Sequence, residues 1–309
     1  MTRVSICIPT YNGERFVSEA IASVLGQTYT DFELLVCDDC STDSTLNIVS
    51  SFADTRLRVI AGRQRLGLVG NWNRCVEIAS GEYIQIFHQD DVMEADCVQQ
   101  LTDMLDQNPR AGFAFTNMKT LDAEGKVIGG HWSPAILPRE NTAFTTEEFL
   151  RLQLGNGNLV PCPSVMVRSR CYSEVGLFDD RLRYTPDVEM WFRLALRHDI
   201  AYIATPLVHQ RRHMMQESSR FIGKVGEVDE MWNVLQILFR EQYPLIPEPG
   251  LLYKLALDHF VRWSFMFCRS NVRQGHFWAA RAHASRWLKF HRARARGLPS
   301  PEAEREASP

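Results

Sequence analysis

The sequence predicts an α/β fold in which a Rossmann-like, mostly parallel sheet is flanked by helices and followed by a helical C-terminal extension. The first half of the chain alternates short apolar, β-branched segments with amphipathic ones, as repeated βα units do. From about residue 227 the pattern changes to long amphipathic helices. The 309 residues, 45% of them hydrophobic, are enough to bury a full core.

Strands and helices are expected to alternate along the first part of the chain. The predicted strands are 4–8, 32–37, 57–60 and 83–87, and the predicted helices are 15–27, 44–52, 70–79 and 95–107. Units of this length form a parallel sheet with helices on both faces. Ligands of such sheets bind beyond the carboxyl ends of the strands, so functional residues are expected there.

The middle of the chain is less regular. Strands are predicted at 113–116, 118–121, 126–128 and 164–168, helices at 145–154 and 189–197, and a loop at 129–141. The changes of pattern predict a first domain at 1–222, a helical extension at 223–297 and a disordered tail at 298–309.

Composition and charge argue against several classes of protein. The formal net charge of −3 gives no reason to expect a nucleic-acid partner. No apolar run reaches the roughly 20 residues of a membrane-spanning helix, and the first residues do not form a secretory signal. We therefore expect a cytoplasmic protein whose eight scattered cysteines are free thiols.

Three groups of carboxylates follow predicted strands or precede a predicted helix. Asp38 and Asp39 follow the second strand, Asp90 and Asp91 follow the fourth, and Asp187 comes just before the helix at 189–197. Adjacent carboxylates repel one another unless a cation or a hydrogen-bond donor satisfies them. Clusters with oxygen ligands suit Mg²⁺ or Mn²⁺. A single pair is also typical of a turn that caps the next helix.

Five segments of the chain together carry a family resemblance: VSICIPTYNGERFVSEAIASVLGQTYTDFELLVCDDCSTDST, GNWNRCVEIASGEYIQIFHQDDVM, CPSVMVRSRCYSEVGLFDD, TPDVEMWFRLAL and PLVHQRRHMMQES. In these segments the chain resembles the inverting glycosyltransferases of family 2, which have the GT-A fold. The segments stand in the family's order and lie between residues 4 and 218, about two thirds of the chain.

The resemblance implies a nucleotide site in the first domain. Its residues would be Pro9, Thr10, Tyr11, Asn12, Glu14, Asp39, Asp90 and Arg74. Asp39 would accept the N3 proton of a uracil-type base, and Asp38 would support the loop. Arg74 or Arg65 would contact the diphosphate, because Trp72 stands where the family has a basic residue.

The resemblance also implies a divalent cation, Mg²⁺ or Mn²⁺, at the family's metal motif. Asp91 would coordinate the ion, Asp90 would share it or bind the ribose, and His213 would reach the metal or the diphosphate. Arg211 and Arg212 would suit phosphate oxygens. The chain departs from the common pattern at His88, which stands where many members have the first Asp of the motif.

By the same resemblance, Asp187 is the general base that takes the proton of the acceptor hydroxyl. Pro186 replaces the Glu that usually precedes it, which bears on how Asp187 is oriented. Trp191, on the following helix, is a candidate either for stacking on the acceptor or for the core.

The implied reaction moves a sugar from a UDP- or dTDP-linked donor to a hydroxyl of a glycan or lipid-linked glycan in cell-surface polysaccharide synthesis. One alternative is a non-catalytic nucleotide-binding module, which the departures at His88 and Pro186 favour. Another is a sugar nucleotidyltransferase, which needs a Gly-rich basic signature after the first strand. PTYNGER is not such a signature.

The last predicted helix is basic and aromatic. Between residues 277 and 296 it carries the basic side chains Arg281, Arg286, Lys289, Arg292, Arg294 and Arg296, interleaved with Phe277, Trp278, Trp287, Leu288 and Phe290. Such a helix suits peripheral contact with the anionic inner face of the cell membrane. The alternative is a solvated helix whose aromatic side chains cover the catalytic domain.

Overall fold

A computed structural model describes residues 2–129, 136–216 and 224–298. The chain divides into two compact units, the first formed by 1–146 and 159–214 and the second by 147–158 and 215–309. The predicted boundary at 222 and all but the first residue of the predicted tail lie outside the described residues, as does part of the predicted loop at 129–141. The segment 147–158 groups with the C-terminal helices, which the sequence did not indicate.

Strands and helices alternate through the first unit. The strands are β1 (Val4–Thr10), β2 (Phe32–Asp38), β3 (Leu57–Ala61), β4 (Tyr83–Ile86), β5 (Val92–Met93), β6 (Ala111–Leu121), β7 (Val127–Gly129), β8 (Thr142–Phe144), β9 (Val165–Arg168) and β10 (Asp199–Arg211). The helices of the chain are α1 (Val17–Leu25), α2 (Thr45–Ser50), α3 (Gly67–Ile78), α4 (Cys97–Gln107), α5 (Thr146–Asn156), α6 (Ser169–Val175), α7 (Pro186–Ala195), α8 (Val225–Glu241), α9 (Pro249–Arg273) and α10 (Phe277–Arg296).

One sheet runs through the first unit, in the order β3-β2-β1-β4-β9-β6-β10-β5, with β7 beside β6 and β8 beside β10. The strands β3, β2, β1 and β4 are parallel, as predicted. The second half is mixed, because β9 runs antiparallel to both β4 and β6, while β6 and β10 are parallel. The α/β fold is confirmed, with the parallel pattern strongest in its first half.

The central strands are buried on both faces, which explains their continuous apolar sequences. Every residue of β2 is buried, and so is every residue of β4. Helix α1 places Val17, Ala20, Ile21 and Val24 in the same core as the apolar residues of β1. This spacing of three and four residues puts the apolar side chains on one face of the helix.

The register of the parallel strands brings the functional loops to one edge of the sheet. Thr10 at the end of β1 lies opposite Asp38 at the end of β2. Cys7 of β1 lies opposite Ile86, the last residue of β4, so the loop 87–91 leaves the sheet beside the end of β1. The segments that carry two of the three carboxylate groups therefore leave the sheet at the same edge.

Two predicted elements differ from the structure. The strands predicted at 113–116 and 118–121 are one long strand, β6. The helix predicted at 189–197 begins earlier, at Pro186, so Asp187 lies in the first turn of α7 rather than before the helix. Proline is favoured in the first turn of a helix, because its missing N–H would have no partner there.

The C-terminal helices form the second unit together with α5. Helices α9 and α10 are joined by residues 274–276 and pack along each other. Trp232 of α8, Phe260 of α9 and Phe290 of α10 meet in an aromatic core, with ring centroids 5.0–5.8 Å apart. Among the helices of the described residues, none combines the length and apolarity needed to cross a bilayer.

Candidate active site

Three side chains of the loop after β4 form a cluster that has the make-up of a metal site. The possible ligand atoms of His88, Asp90 and Asp91 all lie within 4.8 Å of one another. Asp91 is 1% exposed; its Oδ1 accepts the backbone N–H of Arg211 at 2.9 Å. Its buried Oδ2 has no hydrogen-bond partner among the described residues and lies 3.6 Å from Nδ1 of His88.

Burial, and then the nearby charge of Asp90, raise the pKa of Asp91 well above its usual range. A buried carboxylate oxygen without a donor is costly unless a cation balances its charge. With a second carboxylate and an imidazole beside it, this oxygen suits a divalent ion that accepts oxygen and nitrogen ligands, such as Mn²⁺. The residues present therefore fit the cofactor that the sequence predicted.

His88 belongs to this cluster, although the sequence marked it only as a departure from the family pattern. Its ring stacks on Trp72 of α3, with centroids 5.7 Å apart and planes inclined by 26°. Burial lowers the pKa of His88, which favours the neutral imidazole that binds metals. The spacing H-x-D-D was the available signal, since it keeps a metal-binding side chain at the position of the missing Asp.

The end of β10 forms a second wall of the site. His213 places Nε2 at 2.9 Å from Oδ2 of Asp90, and its ring lies 4.6 Å from that of Phe16. Arg211 is buried, and its guanidinium donates to the carboxylate of Glu19 and to the carbonyl of Asp90. Arg211 thus serves this site through contacts within the protein, whereas its role toward a diphosphate stays a prediction.

Arg212, the other predicted diphosphate residue, lies between Arg211 and His213 and is partly exposed. Its positive charge opposes the rise in the pKa of Asp91. It therefore adds positive charge near the carboxylate cluster, and its contact with a diphosphate also stays a prediction.

The predicted base-binding turn after β1 is held in place by side chains from two other loops. Gln89 pairs with the backbone of Tyr11: its Oε1 accepts the N–H at 3.0 Å and its Nε2 donates to the carbonyl at 3.1 Å. Asn12 has a positive φ of 48°, and its Oδ1 accepts the N–H of Thr42 at 2.8 Å. The guanidinium of Arg65 lies 3.8 Å from the centre of the Tyr11 ring.

The other predicted nucleotide residues have partners within the protein. Pro9 and Thr10 end β1, and Thr10 donates to Asp38. The carboxylate of Glu14 accepts the N–H of Ser44 at 2.9 Å, just before α2. Arg74 donates to the carbonyl of Asp38 at 2.7 Å. These bonds give Thr10, Glu14 and Arg74 structural roles. The contact of these residues with a nucleotide stays a prediction.

Asp39 stabilises the start of α3. Its two carboxylate oxygens accept the N–H groups of Leu66 and Gly67 at 2.7 and 2.8 Å. A negative charge at a helix N-terminus is favourable, because the first N–H groups have no partners within the helix. The helix that Asp39 caps is α3, which begins 28 residues further along the chain, rather than the adjacent α2.

Asp187 is 9% exposed in the first turn of α7. The helix is fixed by Arg193, which pairs with Glu189 at 2.7 Å and donates to two backbone carbonyls, one at the end of α6 and one in the loop after it. Burial and then the charges of Asp187 and Asp91 raise the pKa of the Cys162 thiol. The negative charges of both carboxylates therefore act on this one buried thiol.

Trp191, the candidate for stacking on an acceptor, is 2% exposed. Its ring packs 5.2 Å from Phe113 and 6.4 Å from Phe178. The structure thus favours the core position over the stacking role.

The carboxylate cluster beyond the ends of the parallel strands lies where the sequence placed the metal motif of a GT-A glycosyltransferase. The family model described as Glycosyl transferase family 2 matches residues 5–172, more than half of the chain. The chain therefore belongs to glycosyl transferase family 2, and the family predicted from the sequence is confirmed.

Two bacterial relatives each match three quarters or more of this chain. An uncharacterized protein of Mycobacterium tuberculosis is 28% identical over 252 residues, 79% of this chain and 77% of the relative. The Escherichia coli protein WfgD, a UDP-Glc:alpha-D-GlcNAc-diphosphoundecaprenol beta-1,3-glucosyltransferase, is 27% identical over 232 residues, 75% of this chain and 85% of WfgD.

Two solved structures share the fold. Residues 1–349 of TarS from S. aureus, in complex with UDP-GlcNAc, match with a TM-score of 0.67 at 19% identity, over 87% of this chain and 74% of that one. The mannosyltransferase PcManGT from Pyrobaculum calidifontis, in complex with GDP-Man and Mn²⁺, matches with a TM-score of 0.60 at 15% identity, over 99% of this chain and 78% of that one.

Proposed function

We propose that this glycosyltransferase moves a sugar from a UDP- or dTDP-linked donor to a hydroxyl of a glycan or lipid-linked glycan, with inversion at the anomeric carbon. The feature that carries the proposal is the buried Oδ2 of Asp91, which has no hydrogen-bond partner in the described part of the chain and lies in the cluster with His88 and Asp90. The relative WfgD, whose name gives it a UDP-sugar donor and a diphosphate-linked lipid acceptor, supports this donor and acceptor class.

A divalent cation, Mg²⁺ or Mn²⁺, would be held by Asp91, Asp90 and His88, with His213 beside Asp90. When bound, it would offset the negative charge of the leaving diphosphate. This set includes the three metal residues expected from the sequence and adds His88. Arg212, Arg65 and Arg74 would supply further positive charge around the diphosphate.

Asp187 would act as the general base. Its carboxylate would take the proton of the acceptor hydroxyl while that oxygen bonds to the anomeric carbon. The bond between the anomeric carbon and the phosphate oxygen breaks in the same displacement, and its electron pair leaves with the nucleoside diphosphate. Attack opposite the leaving group inverts the configuration.

The base and ribose would lie against the turn Pro9–Asn12, which Gln89 holds to the metal-site loop. Asp39 would face the base while its carboxylate also caps α3, because each carboxylate oxygen can accept more than one hydrogen bond. Glu14 would act through the neighbouring loop, whose Ser44 it binds.

The setting we propose is cell-surface polysaccharide synthesis in the cytoplasm, at the inner face of the membrane. Residues 1–222 would be the catalytic domain and 223–297 its helical extension. The family model and the glycosyltransferase names of relatives weigh against both alternatives, a non-catalytic module and a sugar nucleotidyltransferase.

Isothermal titration of UDP and dTDP into the full chain, with Mn²⁺ and then with EDTA, tests the proposal. We expect UDP or dTDP to bind with Mn²⁺ and to bind at least tenfold more weakly after chelation. Binding that ignores EDTA would contradict the metal site, and no binding of either nucleotide would contradict the donor class. The variant Asp91→Asn should lose this metal-dependent binding. Its matched control is Asp103→Asn, which removes the charge of an exposed acid of α4.

A further inference from the structure

The first turn of α10 carries two exposed aromatic side chains. Phe277 is 70% exposed and Trp278 is 81% exposed, and Val272 at the end of α9 is also exposed. Other aromatic residues of α10 turn inward: Phe290 is buried against Trp232 and Phe260. The exposed pair is therefore not needed for the core of the helical unit.

The same two helices carry a large positive charge. From residue 262 to residue 296 the chain has no Asp or Glu and nine basic residues, which are Arg262, Arg269, Arg273, Arg281, Arg286, Lys289, Arg292, Arg294 and Arg296. Arg286 pairs with Asp229 of α8, and Arg294 pairs with Asp258 of α9. The remaining charge gives this surface a strongly positive potential in a chain whose net charge is −3.

One face of α10 combines the aromatic end with the basic residues. The exposed side chains Trp278, Arg281, Ser285, Leu288, Arg292 and Arg296 follow one another at intervals of three or four residues. This spacing places them on a single side of the helix. A helix of 20 residues is about 30 Å long, so the face is a continuous strip rather than a point.

A pocket beside this face adds a place for a compact anionic group. It has a volume of about 450 Å³ and is lined by Trp232, Ser285, Leu288, Lys289, Arg292, Ala293 and Arg296. The ammonium group of Lys289 lies 5.0 Å from the centre of the Trp232 ring, which holds one wall of the pocket in place. Three of its seven lining residues are cations.

We propose that this strip docks on an anionic lipid surface, with Phe277 and Trp278 inserted among the lipids and the pocket cations on headgroup phosphates. A helix with aromatic and basic residues on its exposed side lies at the lipid interface when apolar burial and electrostatic attraction act together. The docking involves the helical unit alone and does not depend on the identity of the donor.

Co-sedimentation of the full chain with vesicles tests the proposal. Vesicles of phosphatidylcholine containing phosphatidylglycerol should bind the protein, and vesicles of phosphatidylcholine alone should bind it at least tenfold more weakly. Raising the salt concentration to about 0.5 M should weaken the binding, because salt screens the attraction between surface charges. Equal binding to both kinds of vesicle, or binding to neither, would overturn the proposal.

Two double variants separate the aromatic and the basic contributions. Phe277→Ser with Trp278→Ser should weaken binding to anionic vesicles by about tenfold or more, since both side chains bury apolar surface on docking. Arg292→Gln with Arg296→Gln should weaken it by about 25-fold, because each basic residue near an anionic surface contributes about a fivefold effect. All four side chains are exposed, so the fold should be kept.

Matched controls carry the same chemical changes elsewhere. Val127→Ser with Ile128→Ser removes two exposed apolar side chains of β7, and Lys126→Gln with Lys254→Gln removes two exposed cations. Both controls should bind anionic vesicles within twofold of the unmodified chain. If either control loses as much binding as its counterpart on α10, the strip is not the docking site.

Another copy of this chain is the competing occupant of the strip. Light scattering without lipid decides between the two: a dimer that Phe277→Ser with Trp278→Ser converts to a monomer would overturn the lipid assignment. Titration of UDP in the absence of vesicles is unaffected by the docking surface, so a failure of the lipid proposal and a failure of the proposed donor are distinguishable.

Discussion

The backbone N–H of Arg211 donates to Oδ1 of Asp91 across 2.9 Å, and this bond joins the end of β10 to the loop after β4. It uses one oxygen of a buried carboxylate and leaves the other, Oδ2, without a partner among the described residues. The position of Asp91 is thus fixed by the fold, while its second oxygen is open to the cation that we propose. The hydrogen bond at Oδ1 and the negative charge of the carboxylate are separate properties of Asp91, and a substitution can remove the charge while keeping the bond.

Asp91→Asn should abolish metal-dependent nucleotide binding without destabilising the fold. The amide oxygen can still accept the N–H of Arg211, but the charge that attracts the cation is gone. Because burial and Asp90 raise the pKa of Asp91, removal of its charge should leave the melting temperature equal to or higher than that of the unmodified chain. Calorimetry with Mn²⁺ and UDP, and thermal unfolding without either, measure the two effects. A fall in melting temperature with UDP binding unchanged would contradict this role.

Asp187→Asn should lower the turnover number by about a hundredfold to ten-thousandfold, the usual contribution of a general base. The affinity for UDP should stay within twofold, because the proposed role concerns the acceptor hydroxyl. Asp54→Asn, which alters an acid paired with Arg56 before β3, should leave both quantities unchanged. Sugar-transfer assays and nucleotide titration on the same preparations give the comparison. Weakened UDP binding with normal turnover would contradict the assignment of Asp187 as base.

The first half of the fold could be predicted because its signals are local. Strands β1 to β4 are apolar and end at turns, so their predicted bounds agree with the structure to within two residues. Asp39 and Asp91 follow the ends of two parallel strands, which is why the sequence places them at one edge of the sheet. Five segments in the order of the family then indicated the class of enzyme.

The rest depends on pairing between distant segments, which local patterns do not reveal. The 13 residues of β10 include Pro206 and two register shifts beside it, so the segment does not have the regular alternation of a predicted strand. The sequence predicts strand β9 itself, but not its place in the centre of the sheet, antiparallel to both neighbours. His88 becomes a candidate ligand because Trp72, from another element, fixes its ring.

Gly13→Ala should loosen the base-binding turn. A Cβ at this position would lie 2.3 Å from Oε1 of Gln89, so Gln89 must move and give up its two bonds to Tyr11. We expect a loss of about 1–2 kcal/mol in the free energy of unfolding and several-fold weaker UDP binding. Gly250→Ala, where a Cβ meets nothing within 4 Å, is the control.

Gln89→Ala completes a double-mutant cycle with Gly13→Ala. If both act by removing the same pair of hydrogen bonds, the double variant should be no less stable than the less stable single variant. Urea unfolding of the four proteins supplies the coupling free energy. Strict additivity of the two effects would show that Gly13 and Gln89 act independently and would contradict the proposed link.

The helical unit should lose stability as the pH falls, because of His259. Burial, and then the charge of Arg262, lower the pKa of His259 to about 4, against an ordinary value of 6.5. Between these values the unfolded chain binds a proton that the folded chain does not, so the free energy of unfolding falls with pH. From pH 7.5 to pH 5 the loss is about 2 kcal/mol for such a shift. This loss of stability is absent only when the pH is above 6.5, the pKa of the histidine in the unfolded chain.

His259→Gln removes the titrating group and should flatten this part of the pH dependence. Urea unfolding followed by tryptophan fluorescence suits the measurement, since the ring of Trp263 lies 5.6 Å from that of His259. The difference in stability between the variant and the unmodified chain should shift by about 2 kcal/mol in favour of the variant between pH 7.5 and pH 5. His276→Gln, at an exposed position, should track the unmodified chain. A difference for His259→Gln that stays constant with pH would mean that this histidine is not buried in its neutral form.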